Sequence, residues 1–138
     1  MTYVKAFAAG FVATLVFHQG LLAILHAAGA SPRGGWSLAR TPPFGVPAVL
    51  SLAFWGGLWG IALWLCIARF SGPAFWLWAV VLGAILPSLV AWFVVMPLKG
   101  MGVAAHGDPK VIVGALLLNS AWGIGVALLM KLLGRAAS

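Results

Sequence analysis

Residues 74–96 read Ala-Phe-Trp-Leu-Trp-Ala-Val-Val-Leu-Gly-Ala-Ile-Leu-Pro-Ser-Leu-Val-Ala-Trp-Phe-Val-Val-Met, without one charged side chain. A bilayer core roughly 30 Å thick takes about 20 apolar residues in helical form to cross. The stretch meets that length. It also runs on apolar where a barrel strand would alternate with polar residues. Lipid offers backbone N–H and C=O groups no partners, so such a run must be a helix. The same reading extends outward to three more stretches, from about Val4 to Ala28, from Val46 to Ala68 and from Lys110 to Leu133. Together they predict an all-α polytopic membrane protein, a four-transmembrane-helix bundle forming a single transmembrane domain over residues 1–138.

Composition agrees. Of 138 residues, 64% are apolar and 7% charged, and Asp108 is the only acid. Nine charged side chains cannot cover a soluble surface, which excludes a soluble enzyme, a disordered chain and a nucleic-acid module. The net charge of +7 is explained by lysines and arginines at helix ends, which reach to headgroups. No polybasic patch is present, so no nucleic-acid partner is expected. Cys66 is the lone cysteine; it permits no intrachain disulfide and reads as an apolar filler.

The ends of the spans carry their own chemistry. Asp108-Pro109 reads as an N-cap followed by proline at the first helical position. Thr41-Pro42 offers the same pair before span two, with Pro43 and Pro47 delaying the regular helix. Ser71-Gly72-Pro73 forms a tight turn that makes spans two and three an antiparallel hairpin, and Pro97 closes span three. The apolar run of span one is too long for a signal-peptide h-region, so it is expected to be retained. Shifted by 67 residues, Thr41-Pro42 meets Asp108-Pro109 and Trp55-Gly56 meets Trp122-Gly123. That match suggests two repeated helical hairpins; the plainer explanation is coincidence among apolar residues. Lys5, Arg69, Lys131 and Arg135 fall on the face of the termini, against Arg33, Arg40, Lys99 and Lys110 on the other. The even count leaves orientation weakly specified. The free amino terminus tips it towards cytoplasmic termini, in a bacterial inner membrane.

Two packing surfaces are legible. Ala6, Ala13, Gly20 and Ala27 repeat every seven residues along span one, the small-residue stripe through which membrane helices approach each other. In span two, Gly56 and Gly60 stand four apart. That is the spacing of close helix association, and it suggests that Gly56→Leu weakens self-association. Trp36, Trp76 and Trp78 suit the membrane interfaces. Trp55, Trp59, Trp92 and Trp122 lie deeper. They read either as packing on the glycine surfaces or as an aromatic wall for a lipid, quinone or pigment.

The chemistry within the bilayer narrows to a few side chains. His18 and Gln19 in span one, Ser88 in span three, and Asn119 with Ser120 in span four fall at similar depth. Pro87 adds the carbonyl of Gly83, which loses its helical donor. Intramembrane polar groups are candidates for a ligand or permeation site; they also serve simply to bond helices together. Bis-histidine haem would need a second histidine-bearing helix, and His106 falls in a loop, so only His18 paired across two subunits would serve. No motif names a cofactor, and no metal-ligand cluster or catalytic set is evident.

Gly10-Phe11-Val12-Ala13-Thr14, Trp59-Gly60-Ile61 and Trp92-Phe93-Val94-Val95-Met96-Pro97-Leu98 give the chain its resemblance to small bacterial four-helix integral membrane proteins. That resemblance implies the fold and no particular chemistry. In size and span number the chain also resembles small multidrug exporters and fluoride channels, but it lacks the membrane glutamate of the former. The expectation is a non-enzymatic accessory, assembly or lipid-binding subunit. Its partners would be membrane lipids and either further copies of itself or a larger membrane complex. The alternatives are an oligomeric channel or carrier for a small neutral or anionic solute, or a His18-dependent protein that binds haem or quinone or modifies lipid.

Overall fold

Four continuous helices cross the length expected of a bilayer in the computed structural model: α1 (Thr2–Ala27), α2 (Ala48–Ile67), α3 (Gly72–Leu98) and α4 (Pro109–Ala137). The structure describes residues 2–42 and 44–137, with side chains up to Gly134; Pro43 and the side chain of Arg135 lie outside it. The chain is thus an all-α four-helix bundle with the composition of an integral membrane protein.

The tightest interfaces join α1 to α2 and α3 to α4, and the two pairs meet through α1 and α4. Glycine allows the close approach in each pair. A Cβ on Gly60 would lie 2.6 Å from the Ala6 carbonyl oxygen, and one on Gly56 would collide with Thr14 Oγ1. In the second pair, a Cβ on Gly83 would lie 2.9 Å from Gly123 Cα. Gly123 packs on Ala79 and Gly83 as Gly60 packs on Ala6 and Gly10, so the sequence alignment that paired Gly123 with Gly56 does not pair like positions. The tight turn between α2 and α3 does not zip them together; they touch over a short stretch near it, where Trp64 meets Phe75 edge-on at 6.1 Å.

The main apolar core lies in the half of the bundle near the termini. It is built from Ala6, Ala9 and Ala13 of α1, Leu63 and Ile67 of α2, Phe75 and Ala79 of α3, and Trp122, Val126, Ala127 and Met130 of α4. Cations flank aromatic rings at this end, with Arg69 5.1 Å from the Phe70 centroid and Lys131 4.4 Å from that of Phe75. Trp76 and Trp78 stand part-exposed there, as expected of interfacial tryptophans.

The opposite end is irregular. α2 has 20 residues, where its membrane-length neighbours have 26, 27 and 26. It falls short by about two turns, and the loop between Ala28 and Pro47 folds into the space left. A two-residue antiparallel pair, β1 (Arg40–Thr41) with β2 (Val46–Pro47), leads into α2. The expected cap at Thr41 is therefore corrected. Its Oγ1 donates to Val46 O at 2.8 Å within this pair, and α2 begins only after Pro47. Asp108 caps as its sequence suggests, Oδ1 accepting from Lys110 N at 2.9 Å. Before it, Ala104, Ala105 and His106 take φ of 49°, 53° and 61°. This is a left-handed run that costs L-residues about 1–2 kcal/mol each.

Candidate functional site

Gln19 is 4% exposed, and both ends of its amide are used. Oε1 accepts the backbone N–H of Trp36 at 2.8 Å. That bond fixes the amide's orientation, because only the oxygen can accept from a backbone donor. Nε2 therefore donates to His18 Nδ1, 3.0 Å away, and the imidazole proton sits on Nε2. His18 is half-buried, and its Nε2–H meets no acceptor among the described residues.

The backbone around Gln19 explains why the loop docks there. Residues Thr14–His18 form a π turn, in which Gln19 N–H bonds Thr14 O and not the Leu15 O of a straight α-helix. Leu15 O accepts the Trp36 indole N–H at 2.8 Å. The turn opens beside Thr14, whose Oγ1 donates back to Gly10 O at 2.8 Å, a bond that loosens and bends helices. Two glycines bring the loop close enough: a Cβ on Gly35 would lie 2.6 Å from Gln19 O, and one on Gly34 would lie 3.3 Å from the His26 ring. Trp36 then turns through a positive φ of 57°. It is not the plain interfacial tryptophan expected, because its hydrogen bonds reach more than two turns down α1 from Ala27.

A second polar pair joins α3 to α4. Asn119 Nδ2 donates to Ser88 Oγ at 2.9 Å, and Ser88 is fully buried. Ser120 turns to its own helix and donates to Leu116 O at 2.6 Å. Trp92 lies one turn beyond Ser88, in a second π turn, Ala91–Val95. Its Nε1 is the one buried side-chain polar atom without a hydrogen-bond partner among the described residues. The glycine contacts set the register of the helices, and that register puts Gln19, Ser88 and Asn119 at one level, beside the start of α2. The polar set nonetheless separates into two groups, His18–Gln19–Trp36 and Ser88–Asn119, with no hydrogen bond between them among the described residues.

No protein-family model, curated protein or solved structure matches this chain. Its chemistry is read from the geometry alone.

The deep tryptophans do not line one wall. Trp122 is 3% exposed and gives its Nε1–H to Gly10 O at 3.2 Å, tying α4 to α1. Trp59 packs against the main core, Trp92 is half-buried, and Trp55 is 57% exposed. The small-residue stripe of α1 is likewise shorter than its sequence repeat. Ala13 is fully buried, but a Cβ on Gly20 would touch nothing within 4 Å and Ala27 is exposed. The reason is that α2 begins near the level of Gly20, so no helix covers the stripe beyond it. Gly56 and Gly60 are spent on α1 of the same chain, which corrects the expectation that Gly56 governs contact between copies. Among the described residues no three His, Cys, Asp or Glu side chains gather as metal ligands.

Sequence reading missed Trp36, Thr14 and Gly10 as parts of the hydrogen-bond network inside the bundle. The signals were present, in Gly34-Gly35 before Trp36 and in Thr14 four residues after Gly10. Neither names its distant partner.

Proposed function

We propose that this chain is a non-enzymatic accessory, assembly or lipid-binding subunit of a bacterial inner membrane, oligomeric or part of a larger membrane complex, with cytoplasmic termini. The supporting observation is where the intramembrane polar atoms go. Gln19 bonds His18 and a loop N–H, Asn119 bonds Ser88, and Ser120 bonds its own helix. This is what polar groups do when they hold helices and loops in register. A transport or catalytic site would keep such atoms turned towards its substrate.

Purification from native membranes in mild detergent tests the reading. A stoichiometric protein partner or tightly retained lipid is the expected result. A lone chain with neither would overturn it.

One observation favours a second reading, an oligomeric channel or carrier for a small neutral or anionic solute. Trp92 Nε1–H and His18 Nε2–H are donors without acceptors among the described residues, in the half of the bundle that holds the polar pairs. Anion flux into proteoliposomes that falls in His18→Ala and Asn119→Ala would favour this reading. The subunit reading expects no flux from the wild-type protein.

A further inference from the structure

Where α4 begins beside the end of α1, a groove of about 350 Å³ opens on the outside of the bundle. Leu25 and Ala30 form one wall, Val113, Gly114 and Leu117 the other, and Lys110 stands at its loop end. Val113 and Leu117 are 53% and 48% exposed. Gly114 leaves its floor empty: a Cβ there would meet nothing within 4 Å. From Lys110 to Leu117 the groove follows α4 for about 10 Å, from the headgroup level towards the hydrocarbon.

We propose that this groove holds one anionic phospholipid, its acyl chain along Val113, Gly114 and Leu117 and its phosphate on the Lys110 ammonium. The proposal rests on the lipid-binding form of the function above and names the lipid's class. Charge selects the occupant. A cation at the mouth of an apolar furrow matches a headgroup phosphate above an acyl chain. A second copy of the chain, itself at net charge +7 with one acid, would bring like charge to Lys110. That one acid, Asp108, spends Oδ1 on the backbone N–H of Lys110.

The test uses the full chain in nanodiscs of equimolar phosphatidylglycerol and phosphatidylcholine, with native mass spectrometry of the released protein. One phosphatidylglycerol per chain is expected to stay bound, in preference to phosphatidylcholine. Gly114→Leu fills the groove and should remove the adduct with helix content unchanged. Lys110→Gln, an exposed substitution with no packing role, should keep a lipid but lower the phosphatidylglycerol preference about fivefold, the worth of one basic side chain at an anionic surface. Equal retention of the two lipids overturns the proposal. So does an adduct indifferent to Gly114→Leu, or a second copy held there without lipid. A protein partner that co-purifies with the wild type while the two lipids are retained equally would leave the subunit reading standing while the lipid site fails. A phosphatidylglycerol adduct without any partner would do the reverse for assembly.

Discussion

Gln19 sits on a helix face with no helix opposite its upper part, and the loop supplies what a helix would have. Its Oε1 is the acceptor for a backbone N–H that would otherwise be left unpaired, a loss of about 1–3 kcal/mol for a buried group. In Gln19→Leu the loop should open more often while the helices stay folded. Arg33 and Arg40 lie in that loop, so trypsin reads the opening directly. Cleavage there should speed up about tenfold, and an unchanged rate would show that the loop is held elsewhere. Ser88 and Asn119 form an isolated pair, so Ser88→Ala and Asn119→Ala should not add. A double-mutant cycle on thermal unfolding in detergent should give about 0.6–2 kcal/mol of coupling. Additive losses would contradict the bond. All three residues could be singled out in the sequence, because polar side chains in an apolar run stand out. Their partners could not. Trp36 is 17 residues from Gln19, and Asn119 is 31 from Ser88, across connections with no periodicity to read.

For the helices, the sequence marked small-residue faces at Ala13 and at Gly56–Gly60 that do pack, but not which helix packs on which. It also carried the α1 stripe on to Gly20 and Ala27, which no helix covers. The Gly56–Gly60 spacing correctly marks a close approach, yet small-residue faces look the same whether the partner is the next helix or the next molecule. The prediction changes accordingly. Gly56→Leu forces a side chain onto Thr14 and should cost about 1–3 kcal/mol of overpacking, seen as a lower melting temperature of the single chain. Gly20→Leu, where a Cβ meets nothing within 4 Å, should stay within about 0.5 kcal/mol of the wild type. Equal effects of the two would refute the assigned α1–α2 contact. The π turn of α1 was illegible, because it depends on a back-bonding threonine and a docked loop and not on composition. The Thr41-Pro42 cap failed for a related reason. The hydroxyl found the nearer Val46 carbonyl of the β pair, and local hydrogen bonds of this kind compete with helix starts.

For the molecule as a whole, the four spans were fully legible, since length and apolarity alone decide them. What the sequence did not show is that the bundle has two unlike ends. The half near the termini holds the main core. The other half holds the polar pairs, both π turns, the docked loop and the left-handed run at Ala104–His106. Local opening follows buried apolar contact. Amide exchange in detergent should therefore be slowest at Leu63–Ile67 and Val126–Met130, and faster at Gln19–Ala27 despite equal helicity. Uniform protection along α1 would argue against this division.

The shortness of α2 has a consequence for the surrounding lipid. At 20 residues it is about 30 Å long, close to one hydrocarbon thickness, while its neighbours of 26 and 27 residues run to about 40 Å. The protein therefore presents two hydrophobic heights around its perimeter. A bilayer can match only one of them without tilting helices or thinning locally. Lipid against α2 would relax in a thinner membrane and lipid against α3, uncharged from Gly72 to Leu98, in a thicker one, so hydrophobic mismatch is built into two helices of a single chain.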